Sequence, residues 1–269
     1  HLIRDPRESD HAISELVDFN ARTVTRKRQR LEEEGILSYH TYLNLGADRG
    51  NGQLVLDGVS NSSIRSLIMN LGAARGYVGS PQTNSGTILL TNNANAALQL
   101  RDMYVATGSG VSTGRISSVA GGAFTNVYIT NTFQVATTAN GYGDLNFGDM
   151  QGGSFVSLNA SDHFRLANGV FTVTNAVVDM NRTVNRNIEV GSSWNSNSAT
   201  LNLVNSRVTM TNLNTGNDSG LYVGGGGNFR TGIVNIVGGT NLIGNGSGRF
   251  DIGDTGGSPG TDGLAQVNF

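Results

Sequence analysis

The chain of 269 residues contains no cysteine. This excludes disulfide bridges, thiolate metal sites and a cysteine nucleophile together. Charge is also scarce: 14% of residues are Asp, Glu, Lys or Arg, against about 25% in an ordinary soluble domain. With a net charge of −2, no field over the whole chain draws in nucleic acid or an anionic membrane surface. No apolar run approaches about 18 residues, so no membrane span is expected. No secretory signal is visible, and the first residue is His1 rather than Met, as expected of a processed or truncated chain.

What is present is glycine, asparagine, serine and threonine, punctuated by single aliphatics. Hydrophobic residues make up 37% of the chain, enough to bury a sizeable core. The charges are concentrated at the front. Seven of the 18 basic and eight of the 20 acidic residues precede Gly35, leaving 11 and 12 for the rest. This composition break divides the sequence into a charged segment, 1–48, and a repeat segment, 49–269.

One pattern recurs in the long segment: an apolar residue, any residue, an aliphatic, then Gly or Ala. It reads GYVGS around Val78, MYVAT around Val105, FQVAT around Val135 and FRLAN around Leu166. It continues as IEVGS around Val190, LYVGG around Val223 and FDIGD around Ile252. By subtraction the central aliphatics lie 24 to 33 residues apart. A second register begins at Leu54, Ile88, Leu145, Phe171, Leu201 and Val234. A third runs up to Ile129, Leu158, Met180 and Met210. Each is a short segment of period two, which is a strand with one buried face. The Gly, Asn and Asp that follow suit corners with positive φ or side chains bonded to the local backbone.

Three short strands in about 30 residues cannot bury a face alone, but stacked copies build a continuous core. The expected fold is therefore mainly β: a parallel β-helix, or solenoid, of about eight rungs, right-handed by the chirality of parallel crossovers. A globular β-sandwich is the competing architecture, and it gives no reason for Gly or Ala after the same aliphatic each time. The stretches TLNLVNSRVTM, SGLYVGGGGNFRTGIVNIVGG and RFDIGDTGG resemble the β-strand repeats of autotransporter passengers and related secreted bacterial surface proteins. That resemblance implies an extracellular rod: a stalk, adhesin or matrix component and, less often, an enzyme.

The front segment has a helical pattern instead. Ala12, Ile13, Leu16 and Val17 recur at helical spacing, and a second helix from Ala21 to Glu34 ends at Gly35. Two short helices joined by a turn are the helix-turn-helix geometry. The run ISELVDFNARTVTRKRQRLEEEGIL followed by SYHTYLNL resembles the winged helix-turn-helix of leucine-responsive-type transcription regulators, with SYHTYLNL as the wing strand. The resemblance implies DNA contact through Arg22, Thr23, Thr25, Arg26, Lys27 and Arg30, types that reach phosphates and base edges. The other reading is a capping helix over the first solenoid rung, its charged side simply solvated.

Carboxylate pairs are the remaining chemistry to weigh, because glycosidases use paired acids. Asp144 with Asp149, Asp162 with Asp179, and Asp251 with Asp254 qualify by spacing, although each also suits turn duty. His1, His11, His40 and His163 lie far apart, with no HExxH pattern, so no metal site is expected. GNGSGRFDIGDTGG is only partly like a Gly/Asp calcium repeat, and Gly224 to Gly227 lack the Lys-Ser/Thr of a phosphate loop. No catalytic residue and no cofactor are assigned. Tyr77, Tyr104 and Tyr222 share an outward slot with Gln134, Arg165, Glu189 and Asp251, where aromatics can stack on sugars.

The sequence thus reads as a non-enzymatic, extracellular structural or adhesive β-helix. Its expected partners are a surface glycan or protein, or further copies of itself through the uncapped GLAQVNF end, giving filaments. A DNA-binding regulator built on the front segment, and a polysaccharide-active or tail-spike-like enzyme, are the two alternatives.

Overall fold

The structure is a computed structural model. It describes residues 20, 22–23, 26, 42–46, 50–72, 83–107, 110–138, 140–151, 153–158, 163–181, 188–191, 198–210, 220–224, 231–243, 249–253 and 264–269. The chain divides into two compact units, His1–Thr41 and Tyr42–Phe269. Within the first unit, the Arg22 N–H donates to Asn20 Oδ1 at 2.9 Å and the Thr23 N–H to Asn20 O at 2.8 Å. The two expected helices otherwise fall outside the described residues.

The second unit is all strand among its described elements. In chain order these are β1 (Tyr42–Leu45), β2 (Asn51–Asp57), β3 (Ser62–Leu71), β4 (Thr83–Thr91), β5 (Asn95–Val105), β6 (Val111–Ser118) and β7 (Ala123–Val135). There follow β8 (Gly141–Asp149), β9 (Phe155–Ser157), β10 (His163–Leu166), β11 (Gly169–Thr174), β12 (Val177–Asp179), β13 (Ile188–Val190) and β14 (Ser198–Val204). The last are β15 (Arg207–Met210), β16 (Gly220–Val223), β17 (Thr231–Val237), β18 (Asn241–Ile243), β19 (Arg249–Ile252) and β20 (Ala265–Asn268).

Every pairing among them is parallel. The eight-stranded sheet β2-β4-β6-β8-β11-β14-β17-β20 takes one strand per circuit and forms the first face. The twelve-stranded sheet forms two more faces, because β7 pairs with β9 through its first half and with β10 through its second. The second face thus runs through the first halves of β3, β5 and β7 to β9, β12, β15 and β18. The third runs from β1 through the second halves of β3, β5 and β7 to β10, β13, β16 and β19. This is a parallel β-solenoid, the fold class expected from the repeat.

Register explains the pattern in the sequence. On the first face, Leu54, Ile88, Ile116, Leu145, Phe171, Leu201, Val234 and Val267 stand opposite one another in turn. Those from Ile88 to Val234 are buried. On the third face the ladder is Leu45, Leu71, Val105, Val135, Leu166, Val190, Val223 and Ile252. Six of the seven aliphatics read from the sequence stand in it. Val78 does not: it lies outside the described residues, and its expected place belongs to Leu71, with Leu45 one circuit earlier. For the same reason YLNL is β1, a solenoid strand paired in parallel with β3, and not the wing of a helix-turn-helix.

The Gly or Ala after each aliphatic turns the third corner. Gly72, Ala106, Ala136, Gly191, Gly224 and Gly253 all have positive φ. Their N–H groups donate to the carbonyl of the ladder residue one circuit back, as from Gly72 to Leu45 at 2.8 Å and from Ala106 to Leu71 at 2.8 Å. Positive φ disfavours a side chain, and space disfavours it too, since a Cβ on Gly72 would stand 2.0 Å from the Thr113 carbonyl oxygen. This corner presses on the start of the first face. There the inward ladder Gly52, Gly86, Gly114, Gly143, Gly169, Ala199, Gly232 and Ala265 is small throughout. A Cβ on Gly86 would meet Leu45 O at 2.3 Å.

The interior is mainly apolar, with phenylalanine in the middle and a few buried polar residues such as Asp102 and Thr132 at the bend between the second and third faces. Phe133 stacks on Phe164 with ring centres 5.0 Å apart. Phe147 meets Phe171 at 4.9 Å and Phe124 at 5.4 Å, both edge-on. All five rings are fully buried, and such pairs add about 0.5–1.5 kcal/mol each beyond the area they bury.

Candidate functional site

The outward residues of the third face form the ladder in which sugar-stacking aromatics were expected. It runs Asn44, Asn70, Tyr104, Gln134, Arg165, Glu189, Tyr222 and Asp251. Tyr104 and Tyr222 are in it, both half-buried. Tyr77 lies outside the described residues, and the rung before Tyr104 carries Asn70 instead. Its Nδ2 donates to Asn44 Oδ1 at 2.5 Å.

Four rungs separate Tyr104 from Tyr222, roughly 19 Å at the spacing of neighbouring strands. Of the three rungs between, one carries neutral Gln134 and the other two a charged pair: Arg165 Nε and Nη2 reach Glu189 Oε2 and Oε1 at 2.5 and 3.1 Å. Both side chains are mostly covered, at 19% and 16% exposed, and the two-point geometry fixes them. The face therefore offers two separate tyrosines flanking a neutralised pair. It is not one aromatic platform.

The second face carries an aromatic pair that the sequence reading missed. Tyr128 on β7 and Phe155 on β9 lie with ring centres 5.8 Å apart, beside Val177 in register with Phe155. The signal was weak because Phe155 sits where a polar outward residue was expected. Only the register between β7 and β9 brings it next to Tyr128.

The carboxylates are each engaged separately. Asp144 accepts from Arg115 Nη2 at 2.9 Å and Nε at 3.1 Å. Asp149, on the same strand, accepts from Asn175 Nδ2. Asp179 Oδ1 accepts the Asn181 N–H at 3.1 Å, a local turn bond. Asp162 and Asp254 lie outside the described residues, and Asp251 is placed only by its backbone pairing with Tyr222.

The most buried acid, Asp102, was not singled out from sequence at all. It is 1% exposed at the bend between the second and third faces. Arg101 Nε donates to it at 2.8 Å and Asn131 Nδ2 at 2.7 Å. Among the described residues no three His, Asp or Glu side chains converge as a metal site would require. The His163 backbone pairs with Thr132, and His1, His11 and His40 lie outside the described residues. Gly224 turns a corner; Gly225 to Gly227 also lie outside them.

Among the residues expected to touch DNA, Arg22 and Arg26 are exposed and Thr23 is half-buried. Thr25, Lys27 and Arg30 lie outside the described residues. The first face is different again, with a neutral ladder. Asn202 Nδ2 donates to Thr172 Oγ1 at 3.2 Å, Asn235 Nδ2 to Asn202 Oδ1 at 2.8 Å, and Asn268 Nδ2 to Asn235 Oδ1 at 2.5 Å. Each amide serves its neighbour one circuit back, so the surface rigidifies the coil while staying polar. No protein-family model, curated protein or solved structure matches this chain.

Proposed function

We propose that this protein is a non-enzymatic structural or adhesive rod that works outside the cell. The observation that supports this reading most is the continuity of the register: the same ladders pass through all eight strands of the first face. Each added circuit lengthens the solenoid by about 4.8 Å and adds a polar outer strip at no change in core chemistry. Two pairs of outward charges neutralise each other, Arg115 with Asp144 and Arg165 with Glu189, and Asp57 and Asp149 each accept from an asparagine amide. Much of the remaining outward surface is amide, hydroxyl and scattered aromatic, which suits contact with a neutral or weakly charged surface glycan or protein. Tyr104, Tyr222 and the Tyr128–Phe155 pair are the side chains to carry such contact, by stacking. Association between rods belongs to the same reading, and sedimentation at two concentrations separates monomer from assembly.

Peptide mapping of the native protein in separated cytoplasmic and surface fractions tests the reading. Repeat peptides in the surface or extracellular fraction support it. An intact chain in the cytoplasm, carrying both TVTR and FDIGDTGG peptides, overturns it and turns attention to DNA binding and its salt dependence.

A further inference from the structure

The second face differs from the other two in what its outward polar groups do. On the first face the amides of Asn202, Asn235 and Asn268 serve one another along a ladder. On the third, Asn70 serves Asn44. Beside the Tyr128–Phe155 pair the polar side chains have hydrogen-bonding groups left over. Gln99 on β5 and Ser157 on β9 flank Tyr128 in register, and neither side chain has a partner among the described residues. Asn126 stands in register with Phe155 and accepts its N–H on Oδ1 at 3.2 Å. That bond holds the amide in place, while Nδ2 has no partner among the described residues. All three side chains are half-buried, so water serves them less fully than it serves an open surface.

The two rings add nothing to the interior. Val156, between Phe155 and Ser157, fills the inward position of β9 and is fully buried, whereas Tyr128 is 36% exposed and Phe155 half-buried. Their centres lie 5.8 Å apart with planes tilted by 43°, so the rings stand side by side on neighbouring strands. The surface immediately around them is uncharged. Arg101, next outward along β5, is paired with Asp102 at 2.6 Å. Arg65 lies one rung before β5, and Asp179 and Arg207 lie one and two rungs after β9.

We propose that this part of the second face binds a neutral glycan, a chain of uncharged pyranose units lying across β7 and β9. The C–H face of a pyranose ring is apolar and stacks on an aromatic face. The hydroxyls around its rim both donate and accept, which is what Gln99, Asn126 Nδ2 and Ser157 can answer. Tyrosine with serine and amide neighbours is a combination that gives rigid contact area together with adaptable hydrogen bonds. Charge selects among glycans: a uronate or sulfate would find no cation beside the rings, and an amino sugar would find no acid. Tyr104 and Tyr222 on the third face lack this arrangement, because the Arg165–Glu189 pair stands between them. The inference rests on the adhesive reading and names the site and ligand class that reading requires.

The test is affinity electrophoresis of the full chain through gels holding hydroxyethyl cellulose, galactomannan or dextran, with polygalacturonate as the acidic comparison. At least one neutral polymer is expected to retard the protein. Tyr128→Ala should weaken that binding about three- to tenfold, and Tyr128→Phe should retain it. Gln99→Ala, which spares both rings, should weaken it about threefold. Tyr142→Ala, at an exposed tyrosine of the first face, should leave it unchanged. Retardation by none of the neutral polymers, or by polygalacturonate alone, overturns the proposal, as does equal retardation of wild type, Tyr128→Ala and Gln99→Ala. Self-association in sedimentation that Tyr128→Ala abolishes, with no retardation by any polymer, overturns it in favour of a second copy on this face. A surface-located protein that fails these tests loses the glycan site and keeps the rod; a cytoplasmic protein that passes them keeps the site and loses the rod.

Discussion

In β3, β5 and β7 the chain passes from the second face to the third without leaving the sheet; from β9 onward it leaves the sheet and returns. The ladders on either side are the same in both regions, so the difference lies at the bend. In the early circuits the bend is held by polar side chains facing inward. Ser66 Oγ donates to Ile68 O at 2.8 Å, and Asp102, held by Arg101 and Asn131, is almost completely covered. Thr132 is buried beside them. A strand that bends in place keeps its backbone inside, so each freed group needs a partner nearby. The later circuits replace that polar strip with connections of five to nine residues. The same architecture therefore makes this corner in two ways, by a bent strand with buried polar partners early and by longer connections later.

Seven substitutions would break or sharpen this contrast. The largest expected effect is Phe133→Ala in the early half, where the ring is fully buried against Phe164 and Phe171. It should cost about 3–5 kcal/mol in urea unfolding followed by circular dichroism; a loss below about 2 kcal/mol would mean that the phenylalanine cluster does not unite the two halves. Next comes the bend itself. Asp102→Ala should cost about 1–3 kcal/mol by removing the buried acceptor shared by Arg101 and Asn131, and Asp179→Ala in the later half about 0.5–1.5 kcal/mol. If Asp179→Ala proves the costlier, the polar bend is not what distinguishes the halves.

The third corner has the same positive φ in both regions but not the same space. Gly224→Ala should cost roughly 1–2 kcal/mol for its positive φ, and Gly72→Ala more, because its Cβ would stand 2.0 Å from the Thr113 carbonyl oxygen where that of Gly224 stands 2.8 Å from Leu264 O. Ala106→Gly, at the equivalent corner, should change stability by less than about 1 kcal/mol. Equal costs at Gly72 and Gly224 would show that φ alone sets the cost of a side chain there. The smallest effect belongs to the exposed pair. Arg115→Ala should cost less than about 1 kcal/mol, with Arg115 55% and Asp144 35% exposed, and the effect should shrink as salt rises.

Much of this fold was legible because a solenoid repeats its constraints. The aliphatic followed by Gly or Ala was visible at Val105 through Ile252, and the structure supplies the reason at every copy but Leu166–Ala167: positive φ and a corner pressed against the next face. At Val78 the reading falls outside the described residues, where GYVGS satisfies the pattern by composition. Pairing selects Leu71 and Leu45, which satisfy it equally well. The small ladder from Gly52 to Ala265 was missed because a glycine two residues before an aliphatic has no local meaning; only the packing of one corner on the next strand requires it. The fused strands were missed for a similar reason, as Arg101-Asp102 reads like a loop until Asn131 arrives from the next circuit to satisfy the acid. Candidate site residues were the least legible. A tyrosine in an outward slot says nothing about its neighbours, and the Arg165–Glu189 pair that divides Tyr104 from Tyr222 comes from residues 24 positions apart.

The central claim is that every circuit adds one strand spacing along a single parallel coil, and the absence of cysteine makes it directly measurable. Gln53, Thr87, Thr200 and Gln266 belong to one outward ladder of the first face. Cysteine introduced in pairs at these positions can be spin-labelled without background, and pulsed electron–electron resonance reads the distances. The account predicts about 24 Å between labels at Gln53 and Thr200, five rungs apart, and about 34 Å between Gln53 and Gln266, seven rungs apart. Distances that do not grow with rung number, such as a Gln53–Gln266 separation shorter than that of Gln53–Thr200, would contradict it.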